Sequence, residues 1–194
     1  ARDEAYRAVL AAGGAPGEAP CTDCRPASES AWIARVTVAG RIRDLRKAAS
    51  PDFIEAGDFV YILGSPSDSE SNTAVYEAVR RGVSGRMVRS CRAIGAPGGL
   101  VFSIAAACLP GGFGLSVLLD DLPGAPDEIR DLLFGAEGAR FIAGIRREDR
   151  ERFERSFRGL PHRLLGLVSR DPGIFFSRGA RILLSLEPGA EGYA

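Results

Sequence analysis

The segment from Met87 to Leu119, MVRSCRAIGAPGGLVFSIAAACLPGGFGLSVLL, sets an apolar run, a glycine pair, a stretch of small apolar residues and a second apolar run in unbroken succession. A chain with this order passes from strand to helix and back to strand with almost no loop. Met87 to Ile94 reads as extended, Gly98 to Leu109 as a helix, and Gly112 to Leu119 as a strand, with Pro110, Gly111 and Gly112 supplying the helix exit. Such alternation buries its helix against a sheet, which points to a layered α/β fold.

The flanking segments extend the pattern. Asp3 to Ala12 carries Tyr6, Val9 and Leu10 at helical spacing and stops at Gly13-Gly14, whereas Ala15 to Ser30 turns to Pro, Gly, Ser and Asp and reads as a loop or linker. We therefore place a boundary near Ala31, with residues 1–31 as a helix and linker and residues 32–194 as the main domain. Trp32 to Ile42 alternates as a long strand, and Phe59 to Leu63 is continuously apolar, as in a central strand. Ser69 to Gly82 reads as a helix capped by Ser71 or Asn72 with Val75, Tyr76 and Val79 inward, and Pro126 to Phe134 as a short helix led by Pro126, Asp127 and Glu128. Ala139 to Ile145 returns to strand. Arg147 to Arg158 reads as a charged surface helix resting on Phe153 and Phe157, with ion pairs such as Glu148 with Arg152. Leu164 to Val168, Ile174 to Phe176 and Ala180 to Leu186 close the chain as strands separated by tight turns. The closely spaced final strands imply a mixed sheet flanked by helices, an α/β (α+β) architecture.

Bulk properties narrow the function classes. With 194 residues and 45% hydrophobic content the chain is long enough for one buried core and too short for two full-sized domains. A formal charge of +0 argues against nucleic acid or an anionic membrane as partner. Lys47 is the sole lysine, and the abundance of Arg reads as genome composition rather than as a binding surface. No apolar run reaches the roughly 20 residues of a membrane span, and no secretory leader pattern is present, so a cytoplasmic protein is expected. The start at Ala1 rather than Met suggests processing or a piece of something longer. Cys91 and Cys108 sit in apolar segments and are expected as reduced, buried thiols.

Several segments, taken in order, resemble one family. Val36 to Gly64, VTVAGRIRDLRKAASPDFIEAGDFVYILG, is similar to the strand, turn and D-F-K-x-x-G-D followed by Y-x-L-G of the C-terminal-type domain in phosphoribosylformylglycinamidine synthases, of the aminoimidazole ribonucleotide (AIR) synthetase superfamily. Met87 to Leu119 resembles the family's glycine-rich signature at Gly98, Gly99 and Leu100. Asp131 to Ile145, DLLFGAEGARFIAGI, resembles its L-L-F-x-E-S-x-x-R-F entry, and Leu165 to Leu186 its closing strands. The likeness covers residues 32 to 186, and Ala5 to Cys24 resembles a shortened relic of the preceding ATP-binding-type domain.

The resemblance implies the fold of the AIR synthetase C-terminal domain and, for a parent enzyme, ATP-dependent amidine-forming ligase chemistry in purine biosynthesis with ATP and Mg²⁺. It also shows what is missing. Where the family places His, Asp, Ser and Asp, this chain has Arg92, Ala93, Gly95 and Ala96, with Pro97 inserted, and the Glu and Ser of the second motif fall on Ala136 and Glu137, leaving Arg140 in place. No catalytic residue, metal ligand or cofactor site is therefore expected in this chain, which should be inactive alone. Its role would be structural or that of one wall of a substrate cleft, and its partner the rest of a synthase or a second copy of itself, with a purine-pathway ribonucleotide as ligand. The alternatives are a degenerate stand-alone paralogue acting as a dimerisation or binding module, or a superfamily member of the selenophosphate or thiamine-monophosphate type.

Four residues are candidates for phosphate or substrate binding: Arg92, Gly98, Gly99 and Arg140. A glycine pair opening a helix lets backbone N–H groups approach an anion at the positive end of the dipole; equally, it makes a tight turn for close packing. Cys21-Thr22-Asp23-Cys24 has the spacing of half a zinc knuckle or a redox pair, but no further ligand pair follows. His162, the only histidine, reads as a surface turn residue after Pro161. Ser67, Asp68, Ser69 and Glu70 read as a solvated, helix-capping loop, and Asp120 and Asp121 as exposed carboxylates. No nucleophile triad, Walker-type loop or dinucleotide fingerprint is present.

Overall fold

Phe59 to Leu63 is apolar at every position because both of its faces are covered. In the computed structural model, which describes residues 11, 15–16, 21–28, 31–37, 40–42, 44–65, 69–95, 98–123, 128–135 and 140–187, this segment is an inner strand of a seven-stranded sheet. Four strands precede it: β1 (Ala15–Pro16), β2 (Cys21–Ser28), β3 (Ala31–Thr37) and β4 (Gly40–Arg41), with β1 paired to β4 and β2 to β3. A 3-10 turn at Leu45–Lys47 leads to β5 (Phe59–Leu63), α1 (Ser69–Ser84), β6 (Val88–Ala93) and α2 (Gly99–Cys108). Then come β7 (Gly114–Leu118), α3 (Ile129–Phe134), β8 (Phe141–Ile145), α4 (Arg150–Ser156), β9 (His162–Ser169), β10 (Ile174–Arg178) and β11 (Arg181–Leu186).

The strand order is β11-β10-β7-β9-β5-β8-β6. Only β7 and β10 run parallel; every other pair is antiparallel, so the sheet is mixed. Strand alternation divides the apolar residues between two layers. Val60, Ile62, Ile142, Val117 and Phe176 face α2 and α3, meeting Leu100, Ile104, Leu132 and Leu133. Tyr61, Leu63, Phe141, Ala143 and Ile145 face α1 and α4, meeting Val75, Val79, Phe153 and Phe157. Cys91 and Cys108 are buried free thiols, one in each layer.

Several sequence expectations need correction. Ala15 to Ser30 is not simply a linker, because residues 21–28 pair with β3 from Cys21 opposite Thr37 onward; the pairing shifts between Pro26 and Ser28, next to the residue that has no N–H to give. A partner strand elsewhere in the chain overrides a local composition that favours turns. The long strand expected over Trp32 to Ile42 ends at Thr37, and Gly40–Arg41 pairs with β1 instead. Alternation identifies a strand but not its sheet, and neither segment joins the seven-stranded one. The boundary placed near Ala31 falls between β2 and β3. Of the helix expected over Asp3 to Ala12 only Ala11 lies within the described residues, helical and buried.

Helix α1 begins at Ser69, so Ser71 and Asn72 lie inside it rather than capping it; a run of small polar residues does not mark a unique start. Helix α3 begins at Ile129 with Glu128 in extended conformation as its N-cap, while Pro126 and Asp127 lie outside the described residues. The charged segment divides into a 3-10 turn at Arg147–Asp149 and a short α4. That break moves the ion pair: Arg150 meets Glu154 at 3.0 Å, and Glu148 lies 4.0 Å from Arg146 rather than against Arg152. Among the described residues no helix is long and apolar enough to cross a membrane.

Candidate functional site

The turn from β6 into α2 is built by close backbone approach. Ile94 N donates to Arg140 O at 2.9 Å and Gly99 N to Gly95 O at 3.1 Å, so the chain reverses within a few residues. Gly98 has φ 87 and Gly99 φ 56, both in the left-handed region that favours glycine. A Cβ on Gly99 would stand 2.6 Å from Gly135 O and from the Phe134 carbonyl carbon, closer than a real side chain can sit. The glycine pair thus lets the start of α2 abut the end of α3.

Arg140 completes this corner. It is buried at 3% exposure, immediately precedes β8, and its guanidinium donates to Gly135 O at 2.5 Å. Gly99 and Arg140 therefore meet at the Gly135 carbonyl, with Gly98 next to them in the chain, although the glycines and Arg140 are some 40 residues apart in sequence. Ser103 Oγ donates back to Gly99 O at 2.8 Å and closes the first turn of α2.

Arg92 lies elsewhere. Its guanidinium donates to Asp52 Oδ1 at 2.8 Å, to Pro51 O at 3.1 Å and to Ala106 O at 3.4 Å. Ala106 is on the last turn of α2, on the order of 10 Å along the axis from Gly99. There the cation complements the negative end of the helix dipole and ties the 51–52 turn to α2.

The corner suits an anion more than a metal. A helix start presents positive partial charge, and Arg140 adds a full cation nearby, although the Gly99 N–H is already engaged with Gly95 O. The approach from β6 reads Arg92, Ala93, Ile94, Gly95 and brings no carboxylate. Nowhere among the described residues do three His, Cys, Asp or Glu side chains gather as a cation site, so the residues present do not fit Mg²⁺. Ala136 and Glu137 lie outside the described residues.

Other candidates have structural partners. Asp120 accepts from Gly179 N at 3.0 Å, fixing the β10–β11 turn, and Asp121 accepts from Arg163 at 3.1 Å. His162 is not a surface turn residue. It opens β9, donates through Nδ1–H to Leu160 O at 2.9 Å, and packs 6.1–6.4 Å from the rings of Tyr61, Phe153 and Phe157. Cys21 and Cys24 occupy β2 opposite Thr37 and Ala34. Ser69 and Glu70 open α1, while Ser67 and Asp68 lie outside the described residues.

Sequence reasoning missed two polar constellations. Tyr61 Oη donates to Glu154 Oε1 at 2.6 Å, and Arg150, stacked 4.6 Å over the Phe59 ring, holds the same carboxylate. Burial first, and then Glu154, raise the Tyr61 pKa well above its ordinary value, while the Tyr61 hydrogen bond and Arg150 lower that of Glu154. On β6, level with the start of β5, Arg89 pairs with Glu55 and Asp58. Burial raises the Asp58 pKa against the pull of Arg89. The residues in each set come from separate segments, so no local spacing announces them.

A seven-stranded mixed sheet with a pair of helices on each face, entered through a glycine-opened helix, is the AIR synthetase-like fold. The chain is similar to phosphoribosylformylglycinamidine synthase II from Thermotoga maritima, with TM-score 0.65 and 17% identity over 80% of this chain and 28% of that one. The T. maritima PurLQS structure matches with TM-score 0.66 at 17% identity and the same coverage. The hydrogenase maturation protein HypE in complex with ATP matches with TM-score 0.62 and 20% identity, over 84% of this chain and 60% of that one. At these identities the likeness is one of fold, and the chain spans less than a third of the synthase chains. No family model matches the sequence, and no curated protein matches it.

Proposed function

We propose that the chain is a C-terminal-type lobe of a phosphoribosylformylglycinamidine synthase-like, ATP-dependent ligase, supplying structure and one wall of a substrate cleft rather than a complete active site. One observation carries the reading: 80% of the chain overlays a synthase fold at TM-score 0.65; the segments that resemble the family's motifs, which follow one another in the family's order, support it. The corner formed by Gly98, Gly99 and Arg140 would bind the phosphate of a purine-pathway ribonucleotide. Arg140 holds Gly135 against the helix start, and the α2 dipole draws the anion. ATP and Mg²⁺ would be held by the remainder of the ligase, because the described residues offer Mg²⁺ no ligand set. The partner is that remainder or a second copy, covering the exposed Phe102 and Phe134 beside the corner, and the reading carries a cytoplasmic location.

Two measurements test this. With formylglycinamide ribonucleotide, ATP and ammonia the chain alone should give no amidine product, and turnover would overturn the lobe reading. In an NMR titration with the ribonucleotide the Gly98 amide should shift and saturate; silence there would remove the cleft-wall role. A second reading, a lobe of another superfamily member, is favoured by the larger share of HypE that the chain covers, 63% of the ligand-free structure. Binding of a different phosphorylated substrate at the same amides, with none by the purine ribonucleotide, would select it.

A further inference from the structure

A second concavity lies at the opposite end of β6 from the glycine pair. It opens between the Leu45–Lys47 turn, the end of α1 and the start of β6, holds about 200 Å³, and is lined by Arg46, Lys47, Arg86, Arg89 and Arg146 around Ile54. The length of β6, on the order of 17 Å, separates it from the start of α2.

Five cations gathered in one cleft repel one another unless something balances them. No carboxylate is among the described residues that line it. The acids around it face other cations first: Asp44 accepts two hydrogen bonds from the Arg46 side chain at 3.0 and 3.3 Å, Glu55 is held by Arg89, and Asp58, whose buried Oδ2 accepts no hydrogen bond from a described residue, lies 3.5 Å from the Arg89 guanidinium. The Lys47 and Arg86 side chains form no ion pair or hydrogen bond with a described residue, although Asp44 attracts both, and Arg146 stands 4.0 Å from Glu148 and within the field of Glu55 and Asp58. Arg146 Nε is buried and has no acceptor among the described residues, a state that costs free energy for a charged donor. Arg86 has φ 60, a conformation in which glycine is comfortable and a long side chain is not. The backbone accepts that strain while holding a guanidinium at the cleft.

We propose that this cleft binds the phosphate group of a small molecule, inorganic phosphate or a phosphomonoester, with Lys47, Arg86 and Arg146 as its donors. A tetrahedral dianion supplies acceptors for the exposed ends of Lys47, Arg86 and Arg146 and neutralises cations that no carboxylate of the described lining balances. The volume lies below the roughly 300–1,000 Å³ of pockets that enclose a whole drug-sized ligand, so the cleft is sized for a phosphate and a short tail. Ile54, half exposed, is the apolar wall that such a tail would touch. The site is independent of the corner at Gly98 and Gly99 and stands or falls separately from it.

The test is an NMR titration with potassium phosphate and with glycerol 3-phosphate at constant ionic strength, with chloride as control. Saturable shifts confined to the amides of residues 45–48, 83–89 and 146 are expected, absent with chloride. Tighter binding of glycerol 3-phosphate assigns a phosphomonoester, and equal binding assigns phosphate itself. Arg86→Gly separates ligand binding from folding, since glycine suits φ 60: its Tm should be unchanged or higher, while its Kd rises about tenfold or more with the lost charged hydrogen bond. Arg163→Ala, on β9, should leave the Kd as in the wild type. Shifts that never saturate, shifts equally produced by chloride, or wild-type affinity in Arg86→Gly would each overturn the proposal.

Discussion

Gly99 and Gly112 both have positive φ, yet their surroundings differ. Around Gly112 nothing lies within 4 Å of where a Cβ would stand, whereas at Gly99 three backbone atoms of Phe134 and Gly135 lie within 2.7 Å. Gly112→Ala should therefore cost about 1–2 kcal/mol of backbone strain alone, and Gly99→Ala more, because α3 must also move. Urea midpoints of the two variants check the ranking. The buried thiols give a second prediction. Burial pushes Cys91 and Cys108 up to about 12, so the reactive thiolate is scarce and the reagent is excluded. Peptide mapping after iodoacetamide at pH 8 should find both unmodified in native protein and alkylated in denaturant. At this scale the glycine pair was legible, since two glycines before an apolar helix have few uses. The engagement of Arg92 with Asp52 was not, because only the folded chain brings those side chains within 2.8 Å.

Helix α4 is short and makes most of its contact through one stripe. The rings of Phe153 and Phe157 lie 4.5 Å apart, and Phe153 sits 4.8 Å from Tyr61. Phe153→Ala should lower stability by about 3–5 kcal/mol, read from the denaturant midpoint. The stripe was legible from the four-residue spacing of the phenylalanines, but the ion pair was not, since the 3-10 turn that displaces it leaves no mark in the charges. Glu154 adds a pH dependence. Its pKa lies below the ordinary 4.5, so its contribution is fully present above that value and lost as pH falls through the folded-state value. Glu154→Gln should accordingly lower Tm at pH 7 and differ progressively less from wild type in titrations below pH 4.5. An undiminished difference in acid would show that the carboxylate charge is not what matters. The β2–β3 ribbon marks the limit of local reading: residues 21–28 carry turn-forming composition, and only their pairing with residues 31–37 makes them a strand.

For the molecule as a whole, the mixed sheet and the alternation of helices and strands followed from periodicity, but the strand order did not, since pairings such as β5 with β9 join segments about 100 residues apart. The segments that resemble a synthase lobe implied the fold as a whole, which the overlay at TM-score 0.65 bears out. Of the four candidate site residues, three meet at one corner and Arg92 serves the other end of α2. Beside that corner Phe102 and Phe134 are 53% and 47% exposed, a surface that a neighbouring lobe or a second copy would cover. Light scattering should show association rising with concentration, and Phe102→Ser with Phe134→Ser should weaken it; a wild type that stays monomeric throughout would remove the second copy as partner.

The position of β5 has a consequence for how this protein is made. Its two neighbours, β8 and β9, lie far downstream: β5 ends at Leu63 and β8 begins only at Phe141. A ribosome adding roughly 5–20 residues per second needs on the order of 4–16 s to cover that interval. Throughout it the most apolar strand of the nascent polypeptide has neither of its lateral neighbours. Synthesis rate and holdase chaperones should therefore govern the yield of soluble product more strongly than growth temperature does.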